Sequence, residues 1–336
     1  MTAIIEAIRR GTDSGPSAPR SASKKRAPKL KKKPTPRPPT PPRRPPVTAV
    51  QRVPLTPMTI ALRTSLLVFA ALIMAFCLNV LVVSHVQHVV AQQQLSDEYR
   101  SELAAGTAPV SEGDFNGALL ADGAPVAIID IPQIGVHEVV LEGSTADVLK
   151  SGPGHRRDTV LPGQRGVSLL FGRAAAFGGP FGSIAQLSPG DKFTVLTGQG
   201  EQQFSVIGLR YAGEPSPALP TANQSRLVLV SARGALYSPS GVAYVDAQLT
   251  SSVQPAGTRQ TTTGSLSPNA LAMSSDFSTL WALVFALQFL ILAEIAAVWA
   301  HRKVGPRKAW VVFAPITIVA VLFVANQLTI LLPNLL

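Results

Sequence analysis

Nucleophilic chemistry needs a group that attacks, a partner that manages its proton, and a donor for the charge that develops. The chain is poor in such groups. It has one cysteine, Cys77, and five histidines: His85, His88, His137, His155 and His301. Cys77 lies inside a long uncharged apolar run, out of reach of any soluble site. Downstream, Ser231 is the hydroxyl to weigh. It needs a base to activate it, and on a strand it points away from the face of its neighbour Ala232. His155 closes a Gly-Pro-Gly-His turn, and His137 falls on the exposed side of a strand-like run. His85 and His88 stand three apart at the edge of the apolar run without a carboxylate beside them. The other histidines are scattered, so no metal is expected, and no cofactor. The "FGGPFG" stretch does not link a strand to a helix as a phosphate-cradling loop does. Arg173 and Arg233 are suited to an anionic group, because guanidinium forks match carboxylates and phosphates.

The elements that hold these residues follow from charge and hydropathy. Residues 1–63 contain 15 Lys/Arg against Glu6 and Asp13, whereas 91–276 contain 11 against 16 Asp/Glu. The net charge of +11 therefore belongs to a basic, proline-rich tail over 1–63 that cannot bury enough apolar surface to fold. A basic chain suggests nucleic acid, but this run leads straight into a membrane span at 64–84, so no nucleic-acid partner is expected. Residues 280–300 and 310–332 read as two more transmembrane helices, each long enough for a core of ~30 Å. The 301–309 loop carries Arg302, Lys303, Arg307 and Lys308. Basic short loops stay in the cytoplasm, so the tail and this loop are expected inside and 91–276 outside. A Pro-x-x-Pro spacing at Pro36–Pro39 is a further possible ligand motif within the tail. Asn79, Gln288 and Asn326 fall in the outer part of the three spans, a placement suited to interhelical hydrogen bonds. Glu294 lies at the depth of Pro315 and should face protein.

Between the first and second spans, 91–122 reads as a polar spacer whose beginning can continue the helix, and 252–279 as a flexible linker. The block 123–251 holds seven apolar runs bounded by Gly and Pro: "PVAIIDI", "VHEVVL", "GVSLLF", "KFTVL", "QFSVIGLRY", "RLVLVS" and "VAYVDAQL". "STADVLKSG" and "FGSIAQL" read as short helices. About seven to eight short strands predict a mainly β domain, a barrel or sandwich.

The order of motifs in this block resembles the sortase family, of the membrane-anchored class-E/F-like actinobacterial type. Ile131-Pro132, Ile134-Gly135-Val136, Gly143, Leu149, Gly152 to His155 and Leu161 to Gly163 follow the family's first half. "LLFGRAAAFGGPFGSIAQLSPGDKF", "RLVLVSA" and "VAYVDAQL" follow its second half. The resemblance covers roughly 125–250 and implies a sortase-like β-barrel outside the membrane of a Gram-positive envelope. It also implies a mechanism in which a cysteine attacks a sorting-signal peptide, a histidine protonates the leaving amine and an arginine holds the oxyanion. At those three positions this chain has Ala232, Arg173 and Val242.

The reading is a membrane-anchored, sortase-like pseudoenzyme without catalytic residues, serving as a binding or scaffolding module in the cell envelope. Its expected partners are the membrane and an envelope or membrane protein, bound through the outer domain or the transmembrane helices, with Arg173 and Arg233 edging the binding groove. The alternative is a family transpeptidase or hydrolase that uses non-standard residues.

Overall fold

The computed structural model describes residues 57–113, 117–257, 259–275, 277 and 280–336. Most of the expected basic tail lies outside the described residues; its last part is helical. Helix α1 (Pro57–Leu78) starts on a proline, which tolerates a first helical turn. It runs through a π turn at Asn79–Val83 into α2 (Ser84–Ala105). Gly106, at φ 69°, ends the rod with its N–H on the carbonyls of Glu102 and Leu103. At 1.5 Å per residue the rod is roughly 70 Å long, about twice a bilayer core. The apolar half can cross a membrane; α2 continues beyond it.

The helical start expected for 91–122 is present, but it packs on the barrel instead of standing free as a spacer. Leu95, Tyr99 and Leu103 recur at helical spacing and pack with Ile128, Val139 and Leu141. Tyr99 is fully buried and its hydroxyl donates to the Val126 carbonyl at 2.9 Å. Gln92 binds the barrel at three points. Its Nε2 donates to the carbonyls of Val139 (3.1 Å) and Ser151 (2.8 Å), and its Oε1 accepts the Val139 N–H at 2.6 Å. His88 meets Glu138 at 3.0 Å.

The strands are β1 (Pro125–Ile131), β2 (Val136–Glu142), β3 (Gly154–His155), β4 (Gly166–Phe171), β5 (Lys192–Thr197), β6 (Gly200–Tyr211), β7 (Ser225–Ala235) and β8 (Ser238–Leu249). They close into a barrel in the order β1-β2-β3-β4-β7-β8-β6-β5. Pairs β2–β3 and β4–β7 are parallel and the rest antiparallel. All seven apolar runs are strands. The barrel interior is filled by Ile129, Val140, Leu170, Leu229 and the stacked rings of Phe193 and Phe204, 5.5 Å apart. Helix α3 (Ala146–Leu149) and a 3-10 turn at Ile184–Gln186 occupy the two short helical segments.

His155 is structural. Its Nδ1 lies 2.8 Å from Glu142 Oε2 and its Nε2 is 2.9 Å from the Val160 carbonyl, with both side chains almost wholly enclosed. A buried charge or dipole pair of this kind holds only while both members are present. His137 is exposed beside Asp130, as its strand position implied.

The expected linker 252–279 is largely laid against the barrel. Gln254 exchanges backbone bonds with Gly163 (2.9 Å) and Arg165 (3.2 Å), Arg259 donates to the Arg157 carbonyl at 2.9 Å, and the Ala270 carbonyl accepts from Ser144 Oγ at 2.7 Å. It leads to α4 (Leu280–Val304) and, after Gly305, to α5 (Pro306–Ile330). All three long helices are apolar enough to cross a membrane. Ala286 and Leu290 of α4 pack on Ala320 and Val324 of α5, with Leu72 of α1 beside them. Small residues at such a contact let helices approach closely. One amide makes the expected interhelical bond: Asn79 Oδ1 accepts from Thr329 Oγ1 at 2.9 Å. Gln288 instead faces outward and Asn326 is half-buried.

Candidate functional site

Arg173, Ala232 and Val242 come together at one end of β4, β7 and β8. Ala232 stands opposite Val242 in the β7–β8 ladder. β4 runs beside β7 with Phe171 next to Val230, and the Gly172 N–H donates to the Val230 carbonyl at 3.0 Å. Arg173 therefore leaves β4 alongside the strand that carries Ala232. Gly172 has no room for a side chain, because a Cβ would lie 2.4 Å from the Phe181 ring. The loop after it turns back so that Phe181 N–H meets the Arg173 carbonyl at 3.0 Å.

Strand alternation sorts the candidates on β7. Leu227 and Leu229 join the barrel interior, while Val228 and Val230 belong to an outer cluster with Ala232 packed against it. Ser231 thus shares the inner face. It is fully buried, and among the described residues its hydroxyl has no hydrogen-bond partner.

Arg173 does not edge an open groove, contrary to the sequence expectation. It is fully buried, with Nη2 donating to the Ala146 carbonyl at 3.0 Å and the guanidinium 5.0 Å from the Phe177 ring centroid. Its Nε and Nη1 have no hydrogen-bond partner among the described residues. Burial alone pulls its pKa down to about 10, since desolvation disfavours the charged form. The cover comes partly from the helical rod: Ser84 Oγ accepts the Phe177 N–H at 3.3 Å. Arg233 is exposed at a bulge after Ala232, stacked 3.9 Å over the Tyr211 ring. The two arginines consequently do not share one exposed anion site.

The remaining cover was not foreseen. After α5 the chain turns into the face where these residues meet. Ala174 N–H donates to the Leu335 carbonyl (2.8 Å), and the N–H groups of Ala175 (3.3 Å) and Ala176 (2.8 Å) to that of Leu336. Leu335 is fully buried in the outer cluster with Leu149, Phe171, Val228, Val230 and Val242. A cleft of about 70 Å³ is left between Ala175, Ala232, Arg233 and Leu336, far below the roughly 300 Å³ at which ligand pockets begin. Among the described residues, no side chain lining it carries a thiol, an imidazole or a carboxylate. Among the described residues no group of three or more His, Cys, Asp or Glu is placed to hold a metal ion.

Comparison with known proteins finds a family model, the sortase domain, matching residues 129–238. Sortase D of Bacillus subtilis (strain 168) is 25% identical over 103 residues, which is 31% of this chain and 50% of the relative. The match thus spans about half the length of that curated relative. Among solved structures, a Clostridium perfringens Sortase D5 transpeptidase is 22% identical and overlays 48% of this chain on 99% of its own, with a TM-score of 0.40. A point mutant of sortase E from Streptomyces avermitilis is 26% identical over 39% of this chain and 91% of its own, with a TM-score of 0.33.

Proposed function

We propose that this chain, whose residues 129–238 match the sortase domain model, is a membrane-anchored pseudoenzyme of that family, acting outside the cytoplasmic membrane as a binding or scaffolding module for an envelope or membrane protein. The observation that carries this reading is the position of Ala232. It stands on the outer face of β7, opposite Val242 and beside the loop of Arg173, where the family resemblance calls for thiol, oxyanion donor and acid. A methyl group cannot attack a carbonyl, and a guanidinium on the Ala146 carbonyl is a poor proton donor to a leaving amine. The one cysteine, Cys77, lies in α1, on a different element.

Topology follows the charge asymmetry. α2, the start of α4 and the end of α5 all lie on the barrel side, and the basic α4–α5 connection lies at the opposite end. This arrangement supports an inner 301–309 loop and an outer barrel. A repurposed serine enzyme gains nothing from this geometry, since Ser231 faces the sealed interior. The test is labelling of the full chain in membranes with thiol- and serine-reactive probes. No adduct is expected on residues 91–275. A stoichiometric adduct on Ser231 would overturn the reading.

A further inference from the structure

The face that a family enzyme would keep open for its substrate is filled here by residues 333–336 of the same chain. The fit has three parts. The backbone carbonyls of Leu335 and Leu336 take the N–H groups of Ala174, Ala175 and Ala176. The Leu335 side chain fills an apolar socket whose floor is Phe171, Val230 and Val242. Asn334 is fully buried. Its Nδ2 donates to the carbonyls of Ser144 (3.3 Å), Asn269 (2.5 Å) and Leu271 (3.0 Å), and its N–H to that of Ser274 (2.8 Å). A buried side-chain amide whose two N–H groups are shared among three carbonyls, while its Oδ1 finds no partner among the described residues, followed by a fully enclosed leucine, resembles the way a protein reads a peptide. Random coverage of a surface does not produce it.

We propose that residues 333–336 are a tethered ligand, and that the groove is a receptor for an extended Pro-Asn-Leu-Leu type segment. The ligand class is therefore apolar with one amide. A partner's segment of the same chemistry gains access only when the tethered one leaves. Delivery is set by α5, whose Thr329 is bonded to Asn79 in the first helix at 2.9 Å. A shift of α5 in the membrane and occupancy of the groove are thus mechanically linked. This inference rests on the binding-module reading for the groove's role, but not on the absence of catalysis.

The test uses the full chain in lipid nanodiscs with Cys77→Ser and the pair Ala175→Cys and Leu336→Cys. Backbone hydrogen-bonded neighbours lie within disulfide reach. Oxidation should remove both thiols from maleimide labelling. The locked form should then bind a fluorescein-labelled Leu-Pro-Asn-Leu-Leu peptide at least tenfold more weakly than the Leu335→Asp variant, which expels the segment. Reduction of the locked form should raise peptide binding, an internal comparison that does not depend on how well Leu335→Asp folds. Thiols that stay reactive after oxidation overturn the tether while leaving the binding-module reading in place. A disulfide that forms while no form of the protein binds the peptide overturns the groove's role as a receptor, and both readings with it. Equal peptide binding by the locked and Leu335→Asp forms overturns the competition.

Discussion

The Arg173 guanidinium ends on the Ala146 carbonyl, 3.0 Å from Nη2, inside a space that solvent does not enter. The contact is a single neutral acceptor for a cation that normally demands several. Removing a charge from water costs several kcal/mol in real proteins unless the partners are good. Arg173 is therefore a site where the fold carries a penalty.

Replacing Arg173 by methionine should relieve that penalty. The thioether keeps the volume over Phe177 and leaves no N–H unsatisfied. The full chain in detergent is expected to melt several degrees higher as Arg173→Met. The pH dependence follows from the lowered pKa, about 10 and well below the ordinary arginine value. Between those values the unfolded chain binds the extra proton and the folded chain does not, so stability rises with pH. The penalty is fully present at neutral pH and is lost as pH rises through about 10. The gap between Arg173→Met and wild type should accordingly narrow above pH 10. A methionine variant that melts five degrees lower at pH 7 contradicts the burial argument.

Gln92 makes a separate and sharper prediction. Three hydrogen bonds from one amide fix α2 to the edge of β2, and the backbone of Gly152 passes so close that a Cβ there would lie 2.2 Å from Gln92 Nε2. Gln92→Leu removes the bonds and leaves the Val139 N–H and C=O unsatisfied. A buried group without a partner costs about 1–3 kcal/mol. Hydrogen exchange at Val139 should speed by at least tenfold, with the β7–β8 ladder unaffected. Unchanged protection at Val139 would mean that the helix does not hold the strand.

Much of this architecture is legible in the sequence, and the misses have physical causes. The seven apolar runs became strands because Gly and Pro bound them and because their side chains fill one core. The two-residue β3 has no period to read. The helical start of 91–122 was legible, but its docking on the barrel was not, although Leu95, Tyr99 and Leu103 form an i, i+4, i+8 series. The run Leu-Val-Leu-Val at 227–230 implied that both faces of β7 are covered, since a strand with one wet face alternates. It did not say by what. The cover, Leu335, is distant in sequence and carries no local signal beyond Pro333 ending the helix. That Ser231 and Ala232 lie on opposite faces was legible from strand alternation; which of the two faces the barrel interior was not. The burial of Arg173 was not, because it depends on α2, α3 and residues 333–336 arriving from three parts of the chain.

Orientation in the membrane gives a further prediction. Single cysteines placed at Gly305 and at Ser238, each with Cys77→Ser, should differ in their reach from outside. Ser238 lies at the exposed turn of the β7–β8 hairpin and Gly305 between the two basic helix ends. A membrane-impermeant maleimide added to intact cells stripped of wall should label Ser238→Cys and spare Gly305→Cys until the membrane is opened. The reverse pattern would invert the topology that the lysine and arginine asymmetry implies.

Loss of the family chemistry is the part of the proposal most open to direct test in this barrel, whose residues 129–238 match the sortase domain model. The most direct measurement is incubation of the full chain in nanodiscs with a sorting-signal peptide and an amine acceptor, followed by mass spectrometry of both peptide and protein. Intact peptide, no acyl adduct on the protein, and no gain of turnover from Ala232→Cys alone are expected, because the acid and the oxyanion donor are still missing. Cleaved or transferred peptide from the wild-type chain, abolished by Ser231→Ala, would contradict the proposal.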